Sequence, residues 1–382
     1  MERIKEFLNK RQQDSLLRTL KPFSLREKGF VCIGGKRYVD FSSNDYLGLS
    51  SHPYIKKNAK DAIDKFGAGI CSSRLLSGDI ELFGILEKRI ADFKQKESAL
   101  IFNSGYQANL GIISAICGKN DVVFSDRLNH ASIVDGILLS GAKLFRFNHN
   151  DIGHLETLLK KHRAKFQRCL IITESIFSMD GDLAPIREIV KLKKKYTSML
   201  LVDEAHATGI FGDDGSGVVA SYRLSDDVDL IMGTFGKALG SFGAYLACSK
   251  PLRDLLINKC RSFIYSTALS PAVIASNIAA VDIVRYDPFR RQLLLEKANY
   301  LREQLRSKGF EVLGSSQIIP VVIGESRKTV LLSEKLQEKG YWALPIRPPT
   351  VPEGSSRIRF SLNYYHRKSM LKKLAEDMAT LS

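Results

Sequence analysis

Lys237 stands in the stretch TFGKALGSFGAY, Thr234 to Tyr245, with Gly236, Gly240 and Gly243 around it. A lysine so placed admits three chemistries: phosphate binding, a solvated loop charge, or a nucleophilic amine. A nucleotide-binding loop reads G-x-x-x-x-G-K followed by Ser or Thr. The Gly-Lys pairs at 35–36, 118–119 and 236–237 are followed by Arg, Asn and Ala. The D-E-A-H run at 203–206 therefore lacks the phosphate loop a helicase needs. His130, His149, His154 and His206 show no metal-ligand spacing. No G-x-S-x-G elbow is present, which argues against a serine hydrolase.

What is left is a lysine past one predicted strand, an aspartate past another, and small hydroxyl and glycine residues at a helix start. Pyridoxal phosphate (PLP) needs that combination. A lysine amine holds its aldehyde as a Schiff base, and an acidic partner keeps the pyridine nitrogen protonated. Helix-start amides and hydroxyls hold a phosphate. Lys237 fits the amine and Asp203 the pyridine partner. His206 is placed to reach the ring oxygen, and His130 to stack on the ring. Gly105, Tyr106, Ser178 and Thr234 suit the phosphate.

These residues need a frame that brings them together. From about residue 85 the chain alternates between apolar runs and helical periods. SALIF, DVVFS, KLFRF, CLIITES, SMLLVDEAH, DLIMGTF and GAYLACS read as strands, separated by helices such as the one opened by Ser104 and the one opened by Pro185. Runs without a polar face fit strands buried on both sides, and the alternation predicts an α/β fold with a mostly parallel sheet covered by helices. Ligands bind beyond the carboxyl ends of such strands. Asn103–Tyr106, Asp126–His130, Glu174–Ser178, Asp203–His206 and Thr234–Lys237 follow five of them. Before this region, 2–18 reads as an amphipathic helix, and 30–33 with 37–41 as a hairpin over Gly34 and Gly35. An irregular, turn-rich stretch follows the hairpin. After the alternating region come helices near 271–286 and 289–308. GFEVL, IIPVVIG, YWALPI and SRIRFSL, with helices at 328–338 and at the end, predict a smaller α+β domain. The expected divisions are 1–45, 46–285 and 286–382.

A length of 382 residues suits two packed domains. No apolar run approaches the ~18 residues of a membrane span, and the first residues lack a secretory apolar region. The six cysteines form no C-x-x-C pair, so reduced thiols in a cytoplasmic protein are expected. A net charge of +16 favours anionic partners, but its dispersal along the chain argues against nucleic acid.

The order S-G-Y-x-A-N (104–109), D-R-L-x-H-A-S (126–132), F-S-M-D-G-D (177–182), D-E-A-H-x-T-G (203–209) and T-F-G-K-A-L-G (234–240) resembles the α-oxoamine synthases, fold-type I PLP-dependent transferases. The resemblance runs from FSSNDYLGL (41–49) to RIRFSL (357–362). It implies a large PLP-binding domain, a smaller C-terminal one, and decarboxylative joining of an amino acid to an acyl thioester. PIRPPTVPEGSSRIRFSL (345–362), RFNHND (146–151) and DSLLR (14–18) resemble the member that joins L-alanine to a pimeloyl thioester, on CoA or acyl carrier protein, for biotin synthesis. Glycine C-acetyltransferase or another α-oxoamine synthase is the alternative enzyme. An inactive basic binding protein on the same scaffold is the non-enzyme alternative.

By the same resemblance, Lys237 moves the substrate Cα proton, His130 also meets the substrate, Arg18 and Thr350 contact substrate, and Arg347, with Asn44 as a further candidate, holds a carboxylate. Ser266 and Thr267 reach the phosphate of a neighbouring subunit, which implies a homodimer. The chain departs from the family pattern at Ile70-Cys71-Ser72, which interrupt a glycine-rich run, and at Phe83, where a histidine is common.

Overall fold

A computed structural model describes residues 1–381 and shows two compact units. The larger holds 49–177 and 183–291; the other holds 1–48, 178–182 and the chain from 292 onward.

The larger unit is built on a seven-stranded sheet in the order Ser98–Phe102, Ala244–Cys248, Leu230–Thr234, Met199–Asp203, Cys169–Glu174, Val122–Asp126, Lys143–Phe147. Ala244–Cys248 runs antiparallel to both neighbours, and the remaining pairings are parallel. Every residue of Val122–Asp126, Cys169–Glu174 and Ala244–Cys248 is buried. That is why those runs carry no polar face. Helices Gly105–Ile116, Ala131–Ser140, Ile152–His162 and Ile186–Lys195 supply the crossovers that parallel pairing requires. Ile112, Ile113, Ile133 and Ile137 pack with Leu100, Val123, Leu170, Leu201 and Leu246 in one apolar cluster. The crossovers leave Asp126, Glu174, Asp203 and Thr234 as the last residues of four neighbouring parallel strands.

In the other unit, strands Phe23–Glu27, Phe30–Ile33 and Lys36–Asp40 form an antiparallel ribbon that Tyr341–Trp342 joins in parallel. Ile318–Gly324, Ser356–Ser361 and Pro345–Ile346 make a second sheet, and helices Ser326–Glu338 and Lys368–Leu381 accompany them. Residues 1–45, read from sequence as a segment of their own, thus fold with the C-terminal part. The short 178–182 segment joins them through the Asp180–Arg357 ion pair. Gly181, at φ +66°, fits where any Cβ would lie 2.5 Å from the Ile318 carbonyl.

Several expectations are corrected. The first helix ends at Gln13 rather than 18, because Ser15 takes a left-handed φ of 57°. The turn-rich stretch contains a helix, Pro53–Phe66, opened by His52. Only Ile55 and Ala62 of it are buried, so it has little apolar stripe to read. A further helix, Lys250–Lys259, buries only Leu256. GFEVL forms no strand, only the bridge Val312–Val321. YWALPI splits into two short strands in different sheets. Among the described residues no helix is long and apolar enough to cross a membrane.

Candidate active site

The site of the larger unit begins with how each strand end is held. Asp203 closes its strand at 5% exposure. Its carboxylate accepts from Asn109 Nδ2 at 3.0 Å and from the Ala205 amide at 2.9 Å. His206, three residues on, is buried, and its Nε2 lies 2.7 Å from Lys237 Nζ. Which of the two donates depends on the imidazole tautomer and on whether the amine carries its proton. Lys237 itself sits in the loop after Leu230–Thr234. That loop is closed by Thr234 Oγ1, which donates to the Gly243 carbonyl at 2.8 Å and accepts from the Gly236 amide at 3.1 Å.

His130 is the N-cap of Ala131–Ser140. Its Nδ1 lies 2.8 Å from Ser132 Oγ, and its main-chain N–H donates to Glu174 Oε1 at 2.6 Å. The residue stays solvent-accessible, yet the pKa of its imidazole is lowered. Partial removal from water is the chief cause; the Lys237 charge adds to it, and Asp203 and Asp135 oppose it. A mostly neutral ring there can stack on a flat, cationic heterocycle without charge repulsion.

Ser104 caps the helix Gly105–Ile116, accepting from the Gln107 amide at 3.2 Å. The helix start presents Gly105 and the exposed Tyr106, whose hydroxyl donates to Asp135. Asn103 Nδ2 donates to the Thr267 carbonyl at 2.7 Å, so Ser266 and Thr267 lie beside this helix start within the same unit. Lys237, His206, Asp203, His130, Gly105, Tyr106 and Thr234 therefore all belong to the rim of one sheet, while Ser266 and Thr267 lie in the segment between two helices, Arg261–Ile264 and Pro271–Tyr286.

The other unit carries the remaining candidates. Arg18 donates to Thr350 Oγ1 at 3.1 Å, and Arg347 donates to the Ser15 carbonyl. Among the described residues neither guanidinium pairs with a carboxylate. The pKa of Arg347 is lowered by burial and by the nearby Arg18 and Arg11 charges. Arg11 was given no role from sequence. Asn44 Oδ1 is engaged by Arg359 at 3.3 Å and by Tyr46 Oη at 3.0 Å, leaving its amide NH2 as the available group. The Ser178 carbonyl accepts from Arg359 Nε.

Asn109, Ser132 and Glu174 were not assigned roles from sequence. Asn109 and Ser132 each lie in a quoted motif. An Asn buried at 1% in an otherwise apolar helix face is the signal that could have singled out Asn109.

The donor set fits PLP. An amine, a buried hydrogen-bonded carboxylate, an imidazole and a capped helix start converge at strand ends of one unit, matching in kind an aldehyde, a pyridine nitrogen, a ring oxygen and a phosphate.

A family model for class I and II aminotransferases matches residues 36–378. The 8-amino-7-oxononanoate synthase of Geobacter sulfurreducens is 46% identical over 98% of this chain and 96% of its own length. A relative named putative 8-amino-7-oxononanoate synthase from Geobacillus kaustophilus is 47% identical over 87% of this chain and 85% of its own. Among solved structures, a serine palmitoyltransferase from Sphingomonas wittichii superposes with a TM-score of 0.93 at 30% identity, covering 100% of this chain and 96% of that one. An 8-amino-7-oxononanoate synthase from Francisella tularensis gives 0.78 at 29% identity, covering 90% and 97%.

Proposed function

We propose that the chain, which belongs to the class I and II aminotransferase family, joins L-alanine to a pimeloyl thioester with loss of CO2. The product is 8-amino-7-oxononanoate, for biotin biosynthesis in the cytoplasm. The observation that carries this reading is the Lys237–His206 contact of 2.7 Å beside an Asp203 held by Asn109. The names of full-length relatives at 44–46% identity support the choice of substrate pair.

PLP, when bound, supplies a ring that accepts the electron pair left on the amino-acid Cα. Lys237 would hold its aldehyde, Asp203 its ring nitrogen and His206 its ring oxygen. The helix start at Gly105 and Tyr106, with Ser178 and Thr234, would hold its phosphate, and His130 would cover its ring. Ser266 and Thr267 are assigned to the phosphate of a second copy of the chain, making a homodimer.

The reaction forms a bond from the alanine Cα to the acyl carbon. It breaks the thioester C–S bond and the Cα–carboxylate bond, and returns a proton to Cα. Lys237 is the group that takes and returns that proton at Nζ. His206, with Nε2 2.7 Å from Nζ, orients the amine. Asp203 keeps a negative charge where positive charge must persist, and Asn109 and the Ala205 amide hold it in place. Arg18 and Thr350 are assigned to substrate, and Arg347, with the Asn44 amide, to a carboxylate.

The test is turnover of purified protein with L-alanine and pimeloyl-CoA or pimeloyl-acyl carrier protein, against glycine and acetyl-CoA. Formation of 8-amino-7-oxononanoate from one of the pimeloyl carriers is expected, and the two arms identify the carrier. Turnover of glycine with acetyl-CoA alone would replace this reading with the glycine C-acetyltransferase one.

A further inference from the structure

Glu174 has no role in the reaction as described, yet it is built into the site. It ends the strand Cys169–Glu174 at 3% exposure. In register it stands opposite Asp203 on the adjacent parallel strand, so the two carboxyls leave the same face of the sheet. Asp203 gathers two N–H donors. Glu174 gathers one, the His130 amide at 2.6 Å. Two buried carboxyls at neighbouring positions do not both ionise without large cost.

The two are also joined through side chains. His130 Nδ1 contacts Ser132 Oγ at 2.8 Å, and Asn109 Nδ2 donates to Ser132 Oγ at 3.0 Å and to Asp203 at 3.0 Å. With the His130 amide on Glu174 and the strand pairing of 174 with 203, the hydrogen bonds close a circuit. Asn129 anchors it, accepting from the Glu174 amide at 3.1 Å and donating to the Ile172 carbonyl at 2.8 Å.

We propose that Glu174 is a positioning residue that works with its proton on: as a neutral carboxyl it fixes the His130 main chain, and its ionisation beside Asp203 sets an alkaline limit to the reaction. This rests on the PLP site described above.

The surrounding charges agree. Burial pushes the Glu174 carboxyl up to about 8, and Asp203 and Asp126 add to the shift, while Lys237 and the His130 amide work against it. Asp126 comes from the strand Val122–Asp126 and lies 3.1 Å from His149 Nδ1. A group whose pKa is higher folded than unfolded contributes stability that is complete below the ordinary carboxyl pKa and is lost as pH rises through about 8.

Glu174→Gln keeps an acceptor oxygen for His130 but cannot ionise; Glu174→Ala keeps neither property. In the holoenzyme, Glu174→Ala is expected to lose between about tenfold and a hundredfold in kcat/KM near neutrality. Glu174→Gln is expected to lose severalfold less and to lack the alkaline decline of the wild type. The second readout needs neither substrate nor cofactor. The thermal midpoint of the cofactor-free, full-length chain is followed from about pH 5 to about pH 9. Wild type should fall relative to Glu174→Gln as pH rises. Parallel midpoints for the two proteins, or a Glu174→Gln as impaired as Glu174→Ala, would overturn the proposal. Failure of the alanine–pimeloyl reaction alone would leave the midpoint comparison standing, so the two ideas fail separately.

Discussion

Asp203 and Glu204 are consecutive, yet they serve opposite sides of one strand end. Asp203 meets Asn109 at the end of its strand, beside the strand whose following loop carries Lys237. Glu204 turns into a closed cluster. Its Oε2 accepts from Lys94 Nζ at 2.8 Å and its Oε1 from the Val219 amide at 2.8 Å. Lys94 also donates to Thr208 Oγ1 at 3.1 Å and to the Ser216 carbonyl. Both charges are fully buried. Burial works against the charge on Lys94, but Glu204 and Tyr245 outweigh it, and its pKa is raised above the ordinary amine value. Gly217 completes the cage, since a Cβ there would lie 2.2 Å from Glu204 Oε2. A lysine–carboxylate pair alone therefore says nothing of chemistry. What separates the two is position: one lysine lies in the loop at the strand-end rim, the other in a cage that leaves no room for a Cβ at Gly217.

That contrast breaks most sharply at the two lysines. Lys237→Ala should remove visible absorbance of bound PLP and cut turnover by about 10²–10⁴-fold or more, with little change in thermal midpoint. Lys94→Met leaves Glu204 charged and unpaired in the interior, which costs about 3–5 kcal/mol of stability. Its folded fraction should keep the spectrum. Adding Glu204→Gln to Lys94→Met should recover part of the loss, because no buried charge is then left alone. Calorimetry and absorbance on the same samples separate the two effects. A Lys237→Ala protein that is catalytically intact, or a Lys94→Met protein as stable as wild type, would erase the distinction. On the other acidic side, Asp203→Asn keeps the shape and the hydrogen-bonding size but removes the charge. Turnover should fall by about 10²–10³-fold while the midpoint moves little.

The sequence made one side of this comparison plain and hid the other. Asp203, His206 and Lys237 were legible because each follows an apolar run that reads as a buried strand, and strand ends in parallel sheets meet at one rim. Lys94 gave no such sign, since a lysine in the last turn of Glu81–Lys94 is an ordinary helix-end charge. Its burial depends on Glu204, far away in the chain, and periodicity carries no such pairing. The same holds for the helix Pro53–Phe66, whose thin buried face left it looking like a turn-rich stretch. Glu174 was visible as a strand-end residue, but its pairing with Asp203 depends on strand order. Arg18 and Arg347 stood out only by resemblance; their contacts with Thr350 and Ser15 join segments more than three hundred positions apart.

The finest test of the contrast lies at Tyr245, fully buried behind the rim. Its hydroxyl is 2.7 Å from Thr208 Oγ1, and burial raises its pKa despite the neighbouring Lys94 charge. Thr208 Oγ1 also contacts the Glu204 carbonyl at 3.0 Å and accepts from Lys94. Tyr245→Phe therefore removes the hydroxyl from a cluster whose other members stay bonded to one another, and a neutral hydrogen bond of the Thr208 kind contributes about 1 kcal/mol. The thermal midpoint should fall by a few degrees at most, while turnover and the absorbance of bound PLP stay as in wild type. Because Tyr245 sits on the strand next to Leu230–Thr234, whose following loop holds Lys237, any looseness between the two sides would show here first. A spectral change in Tyr245→Phe would mean that the saturated cluster tunes the site across the strand, and that stability and chemistry are coupled through it.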